Sequence, residues 1–145
     1  MKQKVSYADE PEDDGLSSIL REPEAAYVVE RVRDGLAISE FHAARVLLGL
    51  TEERLGGLLG MSRATLHRRK KSRHLDRAES DRLVRYIRLF SKACEVFGGE
   101  EGARSWLASP ALAFRGEAPL DFADTEIGAR EVEALLIRLE HGVFS

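Results

Sequence analysis

The chain has 145 residues, of which 43% are hydrophobic, enough to bury one core or two small modules and too apolar for a largely disordered polypeptide. Its single cysteine, Cys94, excludes an internal disulfide framework and a multi-cysteine zinc site. The net charge of −3 argues against a nucleic-acid partner only until charge is read by position: residues 61–92 hold eleven Lys and Arg against three Asp and Glu, while residues 1–30 have three against eight and residues 93–145 four against ten.

Residues 1–21 read as an acidic tail. Asp9, Glu10, Glu12, Asp13 and Asp14 repel one another, and Pro11 and Gly15 interrupt any regular element. Lys2 and Lys4 are followed by no apolar run, so nothing here resembles a secretory signal. Hydrophobic stretches such as Val46-Leu47-Leu48 are far too short to span a bilayer, and the expected location is the cytoplasm.

Pro23 is placed to open a first helix, in which Ala25, Val28, Val29 and Val32 fall at helical spacing before Gly35. The next helix is expected from Ser39, a good N-cap, to Leu48, with Phe41, Ala44, Leu47 and Leu48 on its apolar face. Thr51 caps a third segment, which carries Leu55, Leu58 and Leu59 and breaks at Gly60. Ser62 caps a short helix around Leu66. The longest helix runs from Asp76 to Phe97 on a stripe of Leu83, Tyr86, Ile87, Phe90, Ala93, Cys94 and Phe97, and Gly98-Gly99 end it. An amphipathic piece over about 100–108 follows, around Ala103, Trp106 and Leu107. Pro110 and residues 116–119 read as a connection. The last helix begins near Thr125, with Gly128 in its first turn, and runs to about Glu140 on Val132, Leu135, Leu136 and Leu139. No segment alternates with period two, so the fold class is all-α.

The most informative stretch is 51–72, TEERLGGLLGMSRATLHRRKKS. A helix-turn-helix crosses two short helices steeply, which calls for a small residue at the crossing, glycine in the tight turn and an apolar pin from the second helix. Gly56, Gly60 and Leu66 occupy those places. Ser62, Arg63, Thr65 and His67 then lie at the start of the second helix, where side chains meet base edges. Arg68, Arg69, Lys70 and Lys71 are suited to phosphates. A small helical domain with a solvated basic face is the competing reading, and the glycine spacing, the Ser62 cap and the coincident charge weigh against it.

Catalysis and metal binding have no candidate. His42, His67, His74 and His141 show no ligand spacing to one another or to Cys94, which reads as a buried structural thiol. Gly98-Gly99-Glu100-Glu101-Gly102 has no preceding strand and no following Gly-Lys-Ser/Thr, so helix termination explains it better than phosphate binding. No cofactor, small-molecule substrate or enzyme activity is expected.

Farther along, ATLHRR, the ACEVFGG end of the long helix, ARSWLASPALAF, APLDF, GARE and the closing HGVFS occur in one order. Together these resemble the Xre/MbcA/ParS group of bacterial antitoxins over roughly residues 36–145. Arg115-Gly116 departs from the pair of glycines common in that group, and Phe122 stands where leucine is usual. The resemblance implies a DNA-binding half joined to a toxin-binding half: residues 22–75 as the helix-turn-helix region, 76–97 as a connecting helix and 98–145 as the toxin-binding region. The partner it implies is a RES-domain toxin acting on NAD, blocked at its active site by the C-terminal region. Glu140, His141, Gly142, Val143, Phe144 and Ser145 are the expected contacts; from the residues themselves, two readings of the end stay open, the Ser145 carboxylate entering an anion-binding position or Phe144 packing back on the last helix. It also implies a homodimer that binds its own operator. The alternative is a transcription regulator whose C-terminal half only dimerises.

Overall fold

Capping chemistry sets most element boundaries in the computed structural model, which describes residues 25–142. Its helices are α1 (Ala25–Asp34), α2 (Ile38–Leu48), α3 (Glu52–Leu58), α4 (Arg63–Ser72), α5 (Arg77–Phe97), α6 (Glu100–Ala108), α7 (Pro119–Phe122) and α8 (Glu126–Glu140), with a single 3-10 turn at Leu112–Phe114. Side-chain oxygens of Thr51, Ser62, Asp76 and Thr125 accept from backbone N–H groups three residues on, at 3.1, 3.1, 2.7 and 3.0 Å, satisfying donors that a helix start leaves unpaired. Asp76 belongs to a full capping box, because Glu79 reaches back to the Asp76 N–H at 3.0 Å.

Two expected boundaries move. Helix α2 begins one residue before Ser39, and its N-cap is Ala37, which has no acceptor to offer. The Glu40 carboxylate supplies the missing oxygen by accepting from the Ala37 N–H at 3.0 Å. The stretch after Pro110 is more ordered than a plain connection. It forms the 3-10 turn and then α7, with Pro119 at the first helical position, where its missing N–H costs nothing. The expected helix opening at Pro23 lies outside the described residues.

Helix α5 is the spine: α1, α2, α6 and α8 all pack against it. Tyr86, Leu83, Ile87 and Ala93 on its inner face are fully buried, and Leu59, Leu107, Val132 and Leu136 join them from elsewhere. Each such aliphatic side chain withdrawn from water contributes about 1.5–3 kcal/mol, so this continuous core is the main source of stability. Among the described residues there is no strand, only an antiparallel bridge between Ala37 and His74 that ties the loop before α2 to the loop after α4. Arg73, in the left-handed region at φ 70°, makes that bend possible, and its carbonyl accepts from the Ile38 N–H at 2.9 Å.

Among the described residues, two polar contacts join the two halves directly and a third ties the connecting helix α5 to the C-terminal half. Arg54 of α3 pairs with Asp121 of α7 at 2.8 Å. Arg104 Nε of α6 donates to the Leu47 carbonyl of α2 at 2.7 Å. The buried Tyr86 hydroxyl donates to the Leu120 carbonyl at 3.3 Å. Helix α1 is attached more lightly, through buried Val28 and an ion pair between Arg31 and the buried Glu40 carboxylate.

Candidate functional site

Helices α3 and α4 meet as the sequence spacing requires. Leu55, Leu58, Leu59, Met61 and Leu66 fill the crossing, and Leu66 is the buried residue of α4. Gly56 is buried there, yet a Cβ on it would lie 3.6 Å from Leu66 Cδ2, an ordinary contact. Small size is therefore needed at Gly56, but alanine would fit. Gly60 is the demanding position: its φ is +85°, and a Cβ would come within 2.9 Å of Arg82 Nη1. That guanidinium donates to the Leu59 carbonyl at 2.9 Å, so α5 holds the turn from outside.

The eight residues expected to face DNA divide into two groups. The side chains of Arg63, His67, Arg68 and Lys71 are exposed and, among the described residues, make no ion pair or hydrogen bond. Arg73, just beyond α4, is exposed in the same way. Ser62 and Thr65 are tied together in the cap, since Ser62 Oγ also donates to Thr65 Oγ1 at 3.1 Å. Lys70 pairs with Glu52 at the start of α3 at 2.9 Å, and that hydrogen bond holds the Glu52 carboxyl below its ordinary pKa. Glu52, Glu53, Arg63, Leu66, His67 and Lys70 line a shallow groove beside α4, so one of its walls is acidic.

Arg69 departs from the sequence expectation. Its Nε donates to Glu79 Oε1 at 2.7 Å, and its Nη2 donates to Glu79 Oε2 at 3.1 Å and to Asp76 Oδ2 at 3.2 Å. The Glu79 side chain is 7% exposed and that of Arg69 only 19%. Hydrogen bonding to Glu79 outweighs partial burial and raises the Arg69 pKa. This guanidinium fastens α4 to the start of α5 and turns away from the exposed cations on the same helix. Two cations of the long helix are similarly engaged: Arg82 with the Leu59 carbonyl, and Lys92 with Glu140 at 2.6 Å.

At the other end, α8 runs to Glu140, and the chain turns at Gly142 with φ +74°. Glu140 is bound to Lys92, which holds its carboxyl below the ordinary value, and His141 Nε2 lies 3.8 Å from the same carboxylate. Val143, Phe144 and Ser145 lie outside the described residues, as does the acidic tail. Sequence reasoning passed over the role of Gly128. A Cβ there would fall 1.8 Å from the Phe122 carbonyl oxygen, so only glycine lets α8 begin against α7. Its place in the first turn after the Thr125 cap was the available signal. Cys94 is half-buried against the core, and burial pushes its thiol pKa up. Among the described residues no cluster of His, Cys, Asp and Glu has metal-holding geometry, and no helix is long and apolar enough to cross a membrane.

These two ends coincide with two family matches. Residues 28–88 match the antitoxin Xre-like helix-turn-helix domain, and residues 92–142 match the antitoxin Xre/MbcA/ParS C-terminal toxin-binding domain. The antitoxin Xre of Yersinia enterocolitica serotype O:8 / biotype 1B is 30% identical over 120 residues, covering 81% of this chain and 81% of that protein. The antitoxin Xre of Pseudomonas putida is 33% identical over 137 residues, covering 88% of this chain and 81% of that protein. That of Photorhabdus laumondii subsp. laumondii is 35% identical over 68 residues, or 46% of each.

Proposed function

The chain belongs to the Xre antitoxin family, and from that premise we propose that it neutralises a RES-domain toxin that consumes NAD and represses its own operon as a cytoplasmic homodimer. Arg63, His67, Arg68 and Lys71 approach operator DNA, with Ser62 and Thr65 setting the start of α4 against it. Residues 140–145 reach into the toxin's active site and deny it substrate. Glu140 has a positioning role in this reading, because its bond to Lys92 fixes the end of α8 from which the last residues leave.

The observation that carries the DNA half is the segregation of charge on α4. One basic side chain is drawn inward to α5 and another to α3, while Arg63, Arg68, Lys71 and Arg73 stay exposed and unpaired among the described residues. Lys71 and Arg73, at the C-terminal end of α4, gain a modest interaction with the helix dipole, but Arg63 in its first turn opposes that dipole and has no stabilising role to account for it. All four suit the phosphate backbone, where affinity comes from displaced counterions. For the other half, ten acidic residues against four basic ones in 93–145 favour approach to an enzyme cleft built for an anionic nucleotide.

Co-expression of this chain with the product of the neighbouring reading frame tests the reading, with cellular NAD measured before and after induction. NAD should fall when the neighbouring product is made alone and hold steady when both are made. An unchanged NAD pool in cells making the neighbouring product alone would remove the RES assignment. Failure of the two proteins to co-purify would leave a transcription regulator. Retarded migration of the operon's own upstream DNA, abolished in a variant lacking Arg63, Arg68 and Lys71 side chains, tests the autorepression arm.

A further inference from the structure

Of the large hydrophobic side chains left in solvent among the described residues, Leu112, Ile127 and Ile137 lie in the C-terminal half, and Leu112 is the barest. Leu112 is 98% exposed, as bare as a leucine in an unfolded chain, and it sits within the toxin-binding match. It lies toward the end of residues 105–114, SWLASPALAF, ten residues without a charge in a chain that is 32% charged. Ala108, Ser109, Pro110 and Ala113 around it are also exposed and small. No neighbour competes with the leucine for contact.

The turn that displays it is firmly built. The Ala111 N–H donates to the Glu117 carbonyl at 3.1 Å, and the Gly116 N–H donates to the Ala111 carbonyl at 2.9 Å. Arg115 and Gly116 both adopt left-handed backbone, φ 58° and 88°, to close the loop. Phe114, two residues after the leucine, is buried and stacks on Phe122 of α7 with ring centroids 4.7 Å apart. A chain that holds an apolar side chain outward on a fixed support has met the ordering cost of binding in advance. A preformed apolar knob seated in a desolvated pocket of the partner has the geometry of an interface hot spot, a role that tryptophan, tyrosine and arginine fill more often than leucine.

We propose that Leu112 is an anchor of the toxin interface, inserting into an apolar pocket on the toxin apart from the contacts made by residues 140–145. The partner is the toxin because the knob lies inside the toxin-binding match, and the inference rests on the antitoxin reading given above. It adds a second point of attachment, which fixes the orientation of the C-terminal residues as well as their affinity.

The test uses the full chain and the co-expressed product of the neighbouring frame as the probe, with affinity measured by calorimetry or biolayer interferometry. Leu112→Asp should weaken binding about a hundredfold and Leu112→Ala about tenfold, whereas Leu112→Met should stay near wild type. Val46→Ser, which alters a 63% exposed valine on α2, serves as the control and should leave affinity unchanged. The Leu112 variants should melt with the wild type, because that side chain packs on nothing, and Val46→Ser should melt close to it. Wild-type affinity in Leu112→Asp would overturn the anchor while leaving the antitoxin reading intact. Failure of the wild-type chain to bind the probe would remove both. Dissociation of a homodimer of the free chain by Leu112→Asp, with toxin affinity unchanged, would assign the knob to a self-interface and also overturn the proposal.

Discussion

Replacing Arg69 with alanine separates a structural cation from a DNA-binding one. The Glu79 carboxylate accepts two N–H groups from Arg69, at 2.7 and 3.1 Å, and one from the Asp76 backbone, at 3.0 Å. Arg69→Ala leaves a carboxylate that is 7% exposed with a single donor. Breaking a buried ion pair from one side costs about 3–5 kcal/mol, and solvent reaching the partly exposed guanidinium places this case near about 3 kcal/mol. For a domain of this length that corresponds to a fall in Tm of roughly 10 °C. Urea unfolding at neutral pH followed by circular dichroism reads the loss. Binding to duplex DNA across a salt series reads the other side: the slope of log K against log salt should match wild type. The double variant Arg69→Met with Glu79→Leu removes both charges and should recover part of the stability, short by about 1 kcal/mol because the capping-box bond to the Asp76 N–H goes with Glu79. A single variant that unfolds within about 0.5 kcal/mol of wild type while its salt slope falls by about one would refute this account and return Arg69 to the phosphates.

A variant with Arg63, Arg68 and Lys71 changed to serine should show the opposite pattern, with unfolding almost unaltered and the salt slope reduced by about three per protomer. If a wild-type dimer displaces roughly six phosphates' counterions, its own slope is about −5, and raising salt from roughly 50 to 200 mM weakens binding about a thousandfold. Gly128→Ala drives a methyl group into the Phe122 carbonyl and should cost about 3 kcal/mol or more, seen as a lowered melting temperature with α7 and α8 separating first in hydrogen exchange. Burial, reinforced by the Asp124 carboxylate, pushes the Tyr86 phenol up to about 12 from its ordinary 10.0. A raised folded-state pKa means full stability below about pH 10 and a progressive loss as pH rises toward about 12, worth roughly 2–3 kcal/mol. Tyr86→Phe should lose about 1 kcal/mol at neutral pH with its hydrogen bond to Leu120, and the slope of its stability above pH 10 should flatten. An unchanged alkaline slope in that variant would assign the titration elsewhere.

What sequence alone could reveal follows the range of each interaction. Thr51 and Ser62 were legible as caps, and Asp76 and Thr125 as helix starts, because each binds a backbone group three residues away. Ala37 was not, since its cap is supplied by Glu40 and Ser39 offered the more familiar signal. The helix-turn-helix was legible because glycine at Gly60 and apolar Leu66 follow from the crossing itself. The division of labour inside RRKK was hidden for a different reason. Arg68, Arg69, Lys70 and Lys71 look alike as a charge run, and only the helical turn puts Arg69 over Glu79 and Lys70 toward Glu52. The expected connection before α8 concealed the most constrained packing in the C-terminal half, where Phe114, Phe122 and Gly128 meet.

The three contacts, Arg54 with Asp121, Arg104 with the Leu47 carbonyl and Tyr86 with the Leu120 carbonyl, bear on inheritance. Gene fusion and recombination shuffle activities most freely when a slack tether lies between them. Here α5 runs unbroken from one half into the other, and each half carries parts of the joint. Two of the three acceptors are main-chain carbonyls that any residue provides, so a chimera grafting one relative's front onto another's back needs the donors Arg104 and Tyr86 kept and the half-exposed Arg54–Asp121 pair matched. Exchange of halves is constrained at those few side chains.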